Sequence, residues 1–132
     1  MSPDTLTLIR YRLGQARESL EEAKLLLKGG MSLRSVMNRL YYALFYAALA
    51  LLQEKNIGTS KHSGAISAFD KEFIKTGIFD KDLSKTLHRA FKLCQEGDYV
   101  EQSDIVKDDV DELLPKAVDF VNKVEHYLLE ER

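Results

Sequence analysis

The chain has 132 residues, of which 45% are hydrophobic and 30% charged, and its formal net charge is −2. This composition is typical of one folded domain spanning residues 1–132 and excludes a disordered chain. There is no overall basic signal for nucleic-acid binding, although residues 1–61 carry a net charge of +4 and residues 62–132 one of −6. An anionic ligand is therefore expected against the first half of the chain.

The sequence contains no apolar run of the roughly 18 residues that a membrane span requires. Its first residues lack the charged start and apolar core of a signal peptide. A single cysteine, Cys94, cannot form an internal disulfide. We therefore expect a cytoplasmic protein that does not enter the membrane.

The first predicted helix covers residues 3–28. Ser2 can cap it, and Pro3 suits the first helical position. Apolar residues recur at spacings of three and four along one face, and Gly29-Gly30 ends the helix. The short link predicts that the second helix lies antiparallel to the first.

The second predicted helix, Ser35 to Glu54 with Ser32 as a plausible cap, is apolar over more than half of its circumference. Such a helix is expected at the centre of a bundle. Its other side carries Ser35, Asn38, Arg39, Tyr42, Tyr46 and Gln53. Two interpretations stay open: the tyrosines and the arginine stem cover apolar surface, or this face binds phosphate or RNA.

Three shorter patterns complete the chain. A third helix is predicted over residues 62–75 and a fourth over 81–95, broken by Gly97-Asp98-Tyr99. Ser103 or Asp104 is predicted to cap the last helix, in which Pro115 predicts a kink or a restart. The fold class is therefore all-α, an up-and-down bundle of four to five helices.

Metal and cofactor chemistry have little support in the sequence. The histidines, His62, His88 and His126, fall on three different predicted segments, whereas a metal site needs converging ligands. Cys94 lies on an apolar stripe and is interpreted as a small buried hydrophobe. No phosphate-binding glycine loop occurs. We expect no metal and no cofactor.

From the second helix onward, the motifs follow a distinctive order. RLYYALFYAALALL is followed by Lys61-His62-Ser63-Gly64, by a third helix with Phe69 and Phe73, and by Asp98-Tyr99. Over most of residues 8–127 this order resembles HEPN-domain proteins (higher eukaryotes and prokaryotes nucleotide-binding), in particular a branch of small stand-alone prokaryotic members. The resemblance implies a helical bundle that commonly forms a homodimer. It also implies pairing with a minimal nucleotidyltransferase, as many members do in toxin–antitoxin or nucleotide-related modules.

Several members of that family are metal-independent ribonucleases that use an arginine followed by a histidine. In that chemistry the arginine holds the scissile phosphate and the histidine transfers protons. Arg39 is present here, but Tyr46 occupies the equivalent slot, and an ordinary phenol with a pKa near 10 is a poor base at neutral pH. Cys94 also stands where the branch often has an arginine.

This departure leaves two main hypotheses. The first is a non-catalytic module that binds a nucleotide, RNA or a partner protein through Asn38, Arg39, Tyr42 and Tyr46. The second is an unusual ribonuclease, in which Arg39 clamps phosphate while Tyr46 or His62 assists proton transfer. The alternative for His62 is a connector histidine that bonds a backbone carbonyl. A purely structural dimer is a third interpretation.

Overall fold

The computed structural model describes residues 1–59, 61–99 and 105–130, apart from the side chains at 96–99 and 130. Every regular element in these ranges is helical, which confirms the predicted fold class. In chain order the helices are α1 (Pro3–Lys28), α2 (Leu33–Glu54), α3 (His62–Phe69), α4 (Lys81–Tyr99) and α5 (Lys107–Glu125). Single π-helical turns extend α3 through Asp70–Ile74 and α5 through His126–Glu130.

The hairpin of α1 and α2 makes the most extensive helix contact in the bundle. Ser2 caps α1 by accepting a hydrogen bond from the Thr5 N–H at 3.1 Å. Ser32 caps α2 in the same way through the Ser35 N–H at 3.2 Å. Gly30 turns the chain with a φ of 70°, a conformation that glycine adopts without strain. Both predicted caps and the predicted end of α1 are confirmed.

The central position of α2 is also confirmed, because it contacts all four of the other helices. Met37, Leu40, Leu44 and Leu51 are fully buried in the core. By length and composition alone α2 would be able to span a membrane, but 67% of its most apolar window is buried inside the bundle. Burial of the apolar side of α2 against the other four helices is the main stabilising contribution of the fold.

Helices α3, α4 and α5 close the remaining sides of α2. The rings of Phe69 and Phe120 join α3 to α5 with their centroids 5.6 Å apart. The guanidinium of Arg17 ties α1 to α5 through the Glu125 carboxylate at 2.9 Å and the Asn122 amide oxygen at 2.8 Å. These contacts leave the polar side of α2 facing outward beside α1.

Two predicted boundaries are wrong. The backbone of α4 continues through Gly97 to Tyr99, because a glycine costs a helix only about 1 kcal/mol, which the packing of its apolar stripe offsets. The predicted caps, Ser103 and Asp104, lie outside the described residues, and α5 begins later, at Lys107. Its first turn is stabilised by Asp109, whose carboxylate accepts the Val106 N–H at 3.0 Å.

The predicted restart at Pro115 does not occur, because α5 runs unbroken from Lys107 to Glu125. Pro115 lies on the exposed side of the helix, as does Asp111, whose carbonyl loses its partner to the proline. Water can solvate that carbonyl. The buried residues Leu113 and Ala117 on either side of the proline hold the helix against the core.

Candidate functional site

Two arginines and two tyrosines form a continuous row across the surface of α1 and α2. The Arg39 guanidinium carbon lies 5.1 Å from the centre of the Tyr42 ring, and the Tyr42 and Tyr46 ring centres are 5.7 Å apart. Arg12 of α1 continues the row, 6.0 Å from the Tyr46 ring. We call Arg12, Tyr46, Tyr42 and Arg39 the arginine–tyrosine row. Its cations are held against aromatic faces by cation–π attraction.

Arg39 is held in one orientation by its neighbours. Its Nε and Nη2 donate to the Asn38 Oδ1 at 3.2 and 2.9 Å, and its Nη1 donates to the Glu22 carboxylate at 3.3 Å. The side chain remains 28% exposed. A guanidinium carries five N–H donors, so these contacts leave donors that an arriving anion can use. The Glu22 carboxylate is itself half exposed and can be displaced from Arg39 by such an anion.

Beyond Arg39 an open groove of about 620 Å³ is lined by Leu26, Arg34, Ser35, Asn38 and Arg39. It contains two guanidiniums, a hydroxyl and an amide, and its one apolar wall comes from α1. Arg34 and Ser35 are both exposed. Two guanidiniums and a hydroxyl that line one open groove suit an oxyanion such as phosphate.

His62 approaches the same region from the start of α3. Its Nδ1 lies 2.8 Å from the Tyr41 hydroxyl, and its ring stacks on Phe45 with the centroids 4.1 Å apart. The Tyr42 ring meets it edge-on at 5.8 Å. The expected bond from His62 to a backbone carbonyl is therefore replaced, at Nδ1, by a bond to a buried phenol. Burial raises the pKa of Tyr41 above its ordinary value, so this hydroxyl stays protonated at neutral pH.

A second cleft, of about 480 Å³, shares Asn38 with the groove beside Arg39. We call it the Asn38 cleft, and it is lined by Asn38, Tyr41, Tyr42, His62, Ser63, Phe91, Cys94 and Gln95. Cys94 is buried, as the apolar stripe of α4 predicts, and its sulfur lies 3.8 Å from the Asn38 amide nitrogen. The Tyr42 and Phe91 rings both contact Tyr41, with centroid distances of 5.3 and 5.6 Å.

The structure brings the four residues selected from the sequence, Asn38, Arg39, Tyr42 and Tyr46, onto one face of α2, and His62 reaches the same face through Tyr42. Sequence reasoning missed Arg12, which comes from another helix, and Tyr41. The position of Tyr41 on the apolar side of α2 concealed its hydroxyl. Among the described residues, no three His, Cys, Asp or Glu side chains are grouped as a metal site requires.

The fold and the site define a small helical-bundle protein whose central helix presents an arginine–tyrosine surface. Comparison with known families agrees with this description. The family model of the HEPN domain matches residues 9–127. The chain therefore belongs to the HEPN-domain family, and the resemblance seen in the sequence is confirmed.

Individual relatives cover nearly the whole chain. A UPF0332 protein of Thermotoga maritima is 44% identical over 118 residues, covering 89% of each chain. A protein of Methanocaldococcus jannaschii named "Putative toxin MJ0142" is 35% identical and covers 92% of this chain and 90% of its own. A UPF0332 protein of Archaeoglobus fulgidus is 31% identical and covers 89% and 93%. These relatives are small proteins of similar length.

Proposed function

We propose that this HEPN protein is a non-catalytic module that binds single-stranded RNA or a nucleotide through the arginine–tyrosine row, as one member of a toxin–antitoxin-like pair. The observation that carries the proposal is the Arg39 guanidinium, fixed by Asn38 and stacked on Tyr42 beside a groove that also holds Arg34. Proteins commonly hold phosphate with a guanidinium that is fixed in orientation and still has N–H donors available.

The row also suits the rest of a nucleic acid strand. Two adjacent aromatic rings with a cation at each end allow bases to stack while the backbone phosphates meet positive charge. Tyr42 and Tyr46 are partly exposed, so each presents an edge or part of a face to a strand. The net charge of +4 in residues 1–61 gives the same half of the chain the matching electrostatic sign.

The absence of catalysis is proposed from the groups around Arg39. Tyr46, in the slot where ribonucleases of the family carry a histidine, lies beside Arg12 and Tyr42. Neither neighbour is a base that would draw a proton from its phenol. His62 makes its Nδ1 contact with Tyr41 and is stacked on Phe45, which are contacts that fix a ring in place. We therefore assign to this face the binding of phosphate without its cleavage.

A minimal nucleotidyltransferase is the proposed protein partner, and the cytoplasm the proposed compartment. The support is membership of the HEPN family, together with two relatives from M. jannaschii that are named putative toxins. Where the neighbouring gene encodes a minimal nucleotidyltransferase, its co-expression with this chain is expected to give a complex that survives gel filtration. Separate elution of the two proteins at micromolar concentration would contradict this assignment.

A homodimer is proposed through the outer face of α1. Tyr11 is 60% exposed and Leu25 is 68% exposed on that face, so a second copy would find apolar surface to cover there. Between them lies Gly14, where an added Cβ would meet nothing within 4 Å, so the fold of one copy does not need a glycine there. Two antiparallel α1 helices crossing at Gly14 would bring Arg10 of each copy opposite Glu18 of the other, which is a charge-complementary arrangement.

A metal-independent ribonuclease is the second candidate, and one observation favours it. His62 contacts Tyr42, the same ring on which Arg39 stacks, so an imidazole and a guanidinium share one ring at this face. The candidate predicts RNA cleavage in the presence of EDTA, abolished by Arg39→Ala. Cleavage by Tyr46→His but not by the wild type would instead support binding without catalysis.

The proposed function is tested by the affinity of the wild type, Arg39→Ala and Arg89→Ala for a labelled single-stranded RNA. Arg89 is a matched control because it is a half-exposed arginine paired with Asp109 on the α4–α5 side of the bundle. Loss of one charge-assisted contact is expected to weaken binding about ten- to a hundredfold in Arg39→Ala. Equal loss in both variants would contradict a specific site at Arg39.

A further inference from the structure

We infer that the Asn38 cleft accepts an unpaired nucleobase of the strand or nucleotide whose phosphate is held by Arg39 and Arg34. This inference rests on the proposed function and assigns the base-recognition part of the same site. The inference is prompted by the position of Asn38, which lines both the open groove beside Arg39 and the Asn38 cleft. A ligand with an anionic part and a flat aromatic part would occupy both at once.

The walls of the cleft fit a flat ring. Tyr42 and Phe91 are partly exposed, and both rings contact the buried Tyr41 ring. The cleft is therefore lined by three neighbouring aromatic side chains. A volume of about 480 Å³ lies within the usual range for small-ligand pockets. Aromatic walls bind any base by stacking, because every base has a π-face.

Polar groups at the rim can read the edge of a base. The Asn38 Oδ1 accepts a hydrogen bond from Arg39, while its Nδ2 donates one hydrogen to the Cys94 sulfur, a weak acceptor 3.8 Å away. This NH₂ group therefore retains the capacity to donate to a ring nitrogen or carbonyl of a base. The exposed Gln95 amide and Ser63 hydroxyl add a donor and an acceptor each.

The two halves of the site are mechanically linked through Asn38. The same amide that fixes the Arg39 guanidinium also borders the cleft, so a base that bonds the Nδ2 stabilises the orientation in which Oδ1 holds Arg39. Bases in a duplex are stacked and their edges are paired, so only an unpaired base can enter. The occupant is therefore a base from a single strand or from a free nucleotide.

The test compares a short single-stranded oligonucleotide with the same backbone made wholly of abasic units, using competition against a labelled RNA. The intact strand is expected to bind about five- to a hundredfold more tightly than the abasic one. Equal affinity would overturn the inference while leaving phosphate binding intact. Failure of both strands to bind would contradict the proposed function itself, so the two failures are distinguishable.

Variants locate the base and identify its source. Gln95→Ala and Ser63→Ala alter exposed side chains of the cleft, and Ser67→Ala, one turn further along α3 and also exposed, is the matched control. The two cleft variants are expected to reduce the advantage of the intact strand over the abasic one, and Ser67→Ala to leave it unchanged. An unchanged advantage in both cleft variants would place the base elsewhere and overturn the inference.

Full competition by a nucleoside monophosphate would assign the base to a free nucleotide, and competition by oligonucleotides alone would assign it to RNA; either result supports the inference.

Discussion

The Nδ1 of His62 and the hydroxyl of Tyr41 lie 2.8 Å apart and join the first residue of α3 to the middle of α2. Tyr41 is 2% exposed, so its hydroxyl needs a partner, and His62 supplies one. Stacking of the imidazole on Phe45 adds a second contact to the same pair of helices. The entry of α3 into the bundle, and with it one wall of the Asn38 cleft, therefore depends on this aromatic contact.

Stability at alkaline pH should depend on Tyr41. Burial raises its folded-state pKa above the ordinary 10, so the folded state binds a proton that the unfolded state releases. The stabilising contribution is complete below about pH 10, the unfolded pKa, and is lost as pH rises from there toward the folded pKa. The wild type should therefore lose up to about 1.4 kcal/mol of unfolding free energy per pH unit from this group above pH 10. Urea unfolding of the wild type and Tyr41→Phe at several pH values measures the difference.

The Tyr41→Phe variant has no phenol to ionise at this position, so its unfolding free energy should fall less steeply with pH above pH 10 than that of the wild type. At neutral pH the variant should be about 0.5–1.5 kcal/mol less stable, because it lacks the hydrogen bond to His62. Parallel curves for the two proteins from pH 7 to 11 would show that the buried phenol is not linked to stability.

The carboxylate of Asp70 should stabilise the junction of α3 and α4. It accepts the Ser84 hydroxyl at 2.7 Å and lies 2.6 Å from the His88 Nε2. Asp70→Ala removes both contacts and should lower the free energy of unfolding by about 1–2 kcal/mol. Asp119→Ala is the control, since Asp119 makes an exposed ion pair with Lys123 and should change stability by about 0.5 kcal/mol or less. Thermal unfolding that ranks the two variants equally would contradict this role.

Two glycines should respond to alanine in opposite directions. Gly14 lies within α1 with open space around it, so Gly14→Ala should raise the unfolding free energy by about 0.5–1 kcal/mol in dilute protein. Gly77 has a φ of +81°, a strained conformation for alanine, so Gly77→Ala should lower it by about 1 kcal/mol or more. Denaturant unfolding of both variants checks the contrast, and a destabilised Gly14→Ala at monomer concentration would contradict it.

The proposed α1 dimer predicts a charge-reversal pattern. Arg10→Glu would place like charges opposite each other at the crossing and should raise the dimer dissociation constant at least about tenfold. Adding Glu18→Arg to the same chain should restore the dimer, because the pair is then opposite in sign again. Analytical ultracentrifugation measures both. A dimer that is unaffected by Arg10→Glu would move the interface to another face.

How far the sequence predicts this molecule depends on where each signal lies. The bounds of α1 were predicted because Ser2, Pro3 and Gly29-Gly30 are local signals, and Ser32 marked the cap of α2 in the same way. The start of α5 was missed because its first turn is stabilised by Asp109 reaching back to Val106, a residue type that does not cap. Gly97 suggested an end to α4 that packing overrides.

The candidate site was predicted only along one helix. Spacing alone places Arg39, Tyr42 and Tyr46 together, because all three lie on α2. Arg12 and His62 come from other elements, and no local pattern reveals which residues of α2 they contact. Tyr41 reads as a core residue, so its hydrogen bond becomes evident only when the helices are assembled.

The central claim is that Arg39 holds a phosphate of a single-stranded RNA, and the salt dependence of affinity tests it most directly. The affinities of wild type and Arg39→Ala are measured in EDTA at several salt concentrations, and log affinity is plotted against log salt. If Arg39 neutralises one phosphate, the slope of the variant should be smaller in magnitude by about 0.7. Identical slopes and affinities for the two proteins would contradict the account.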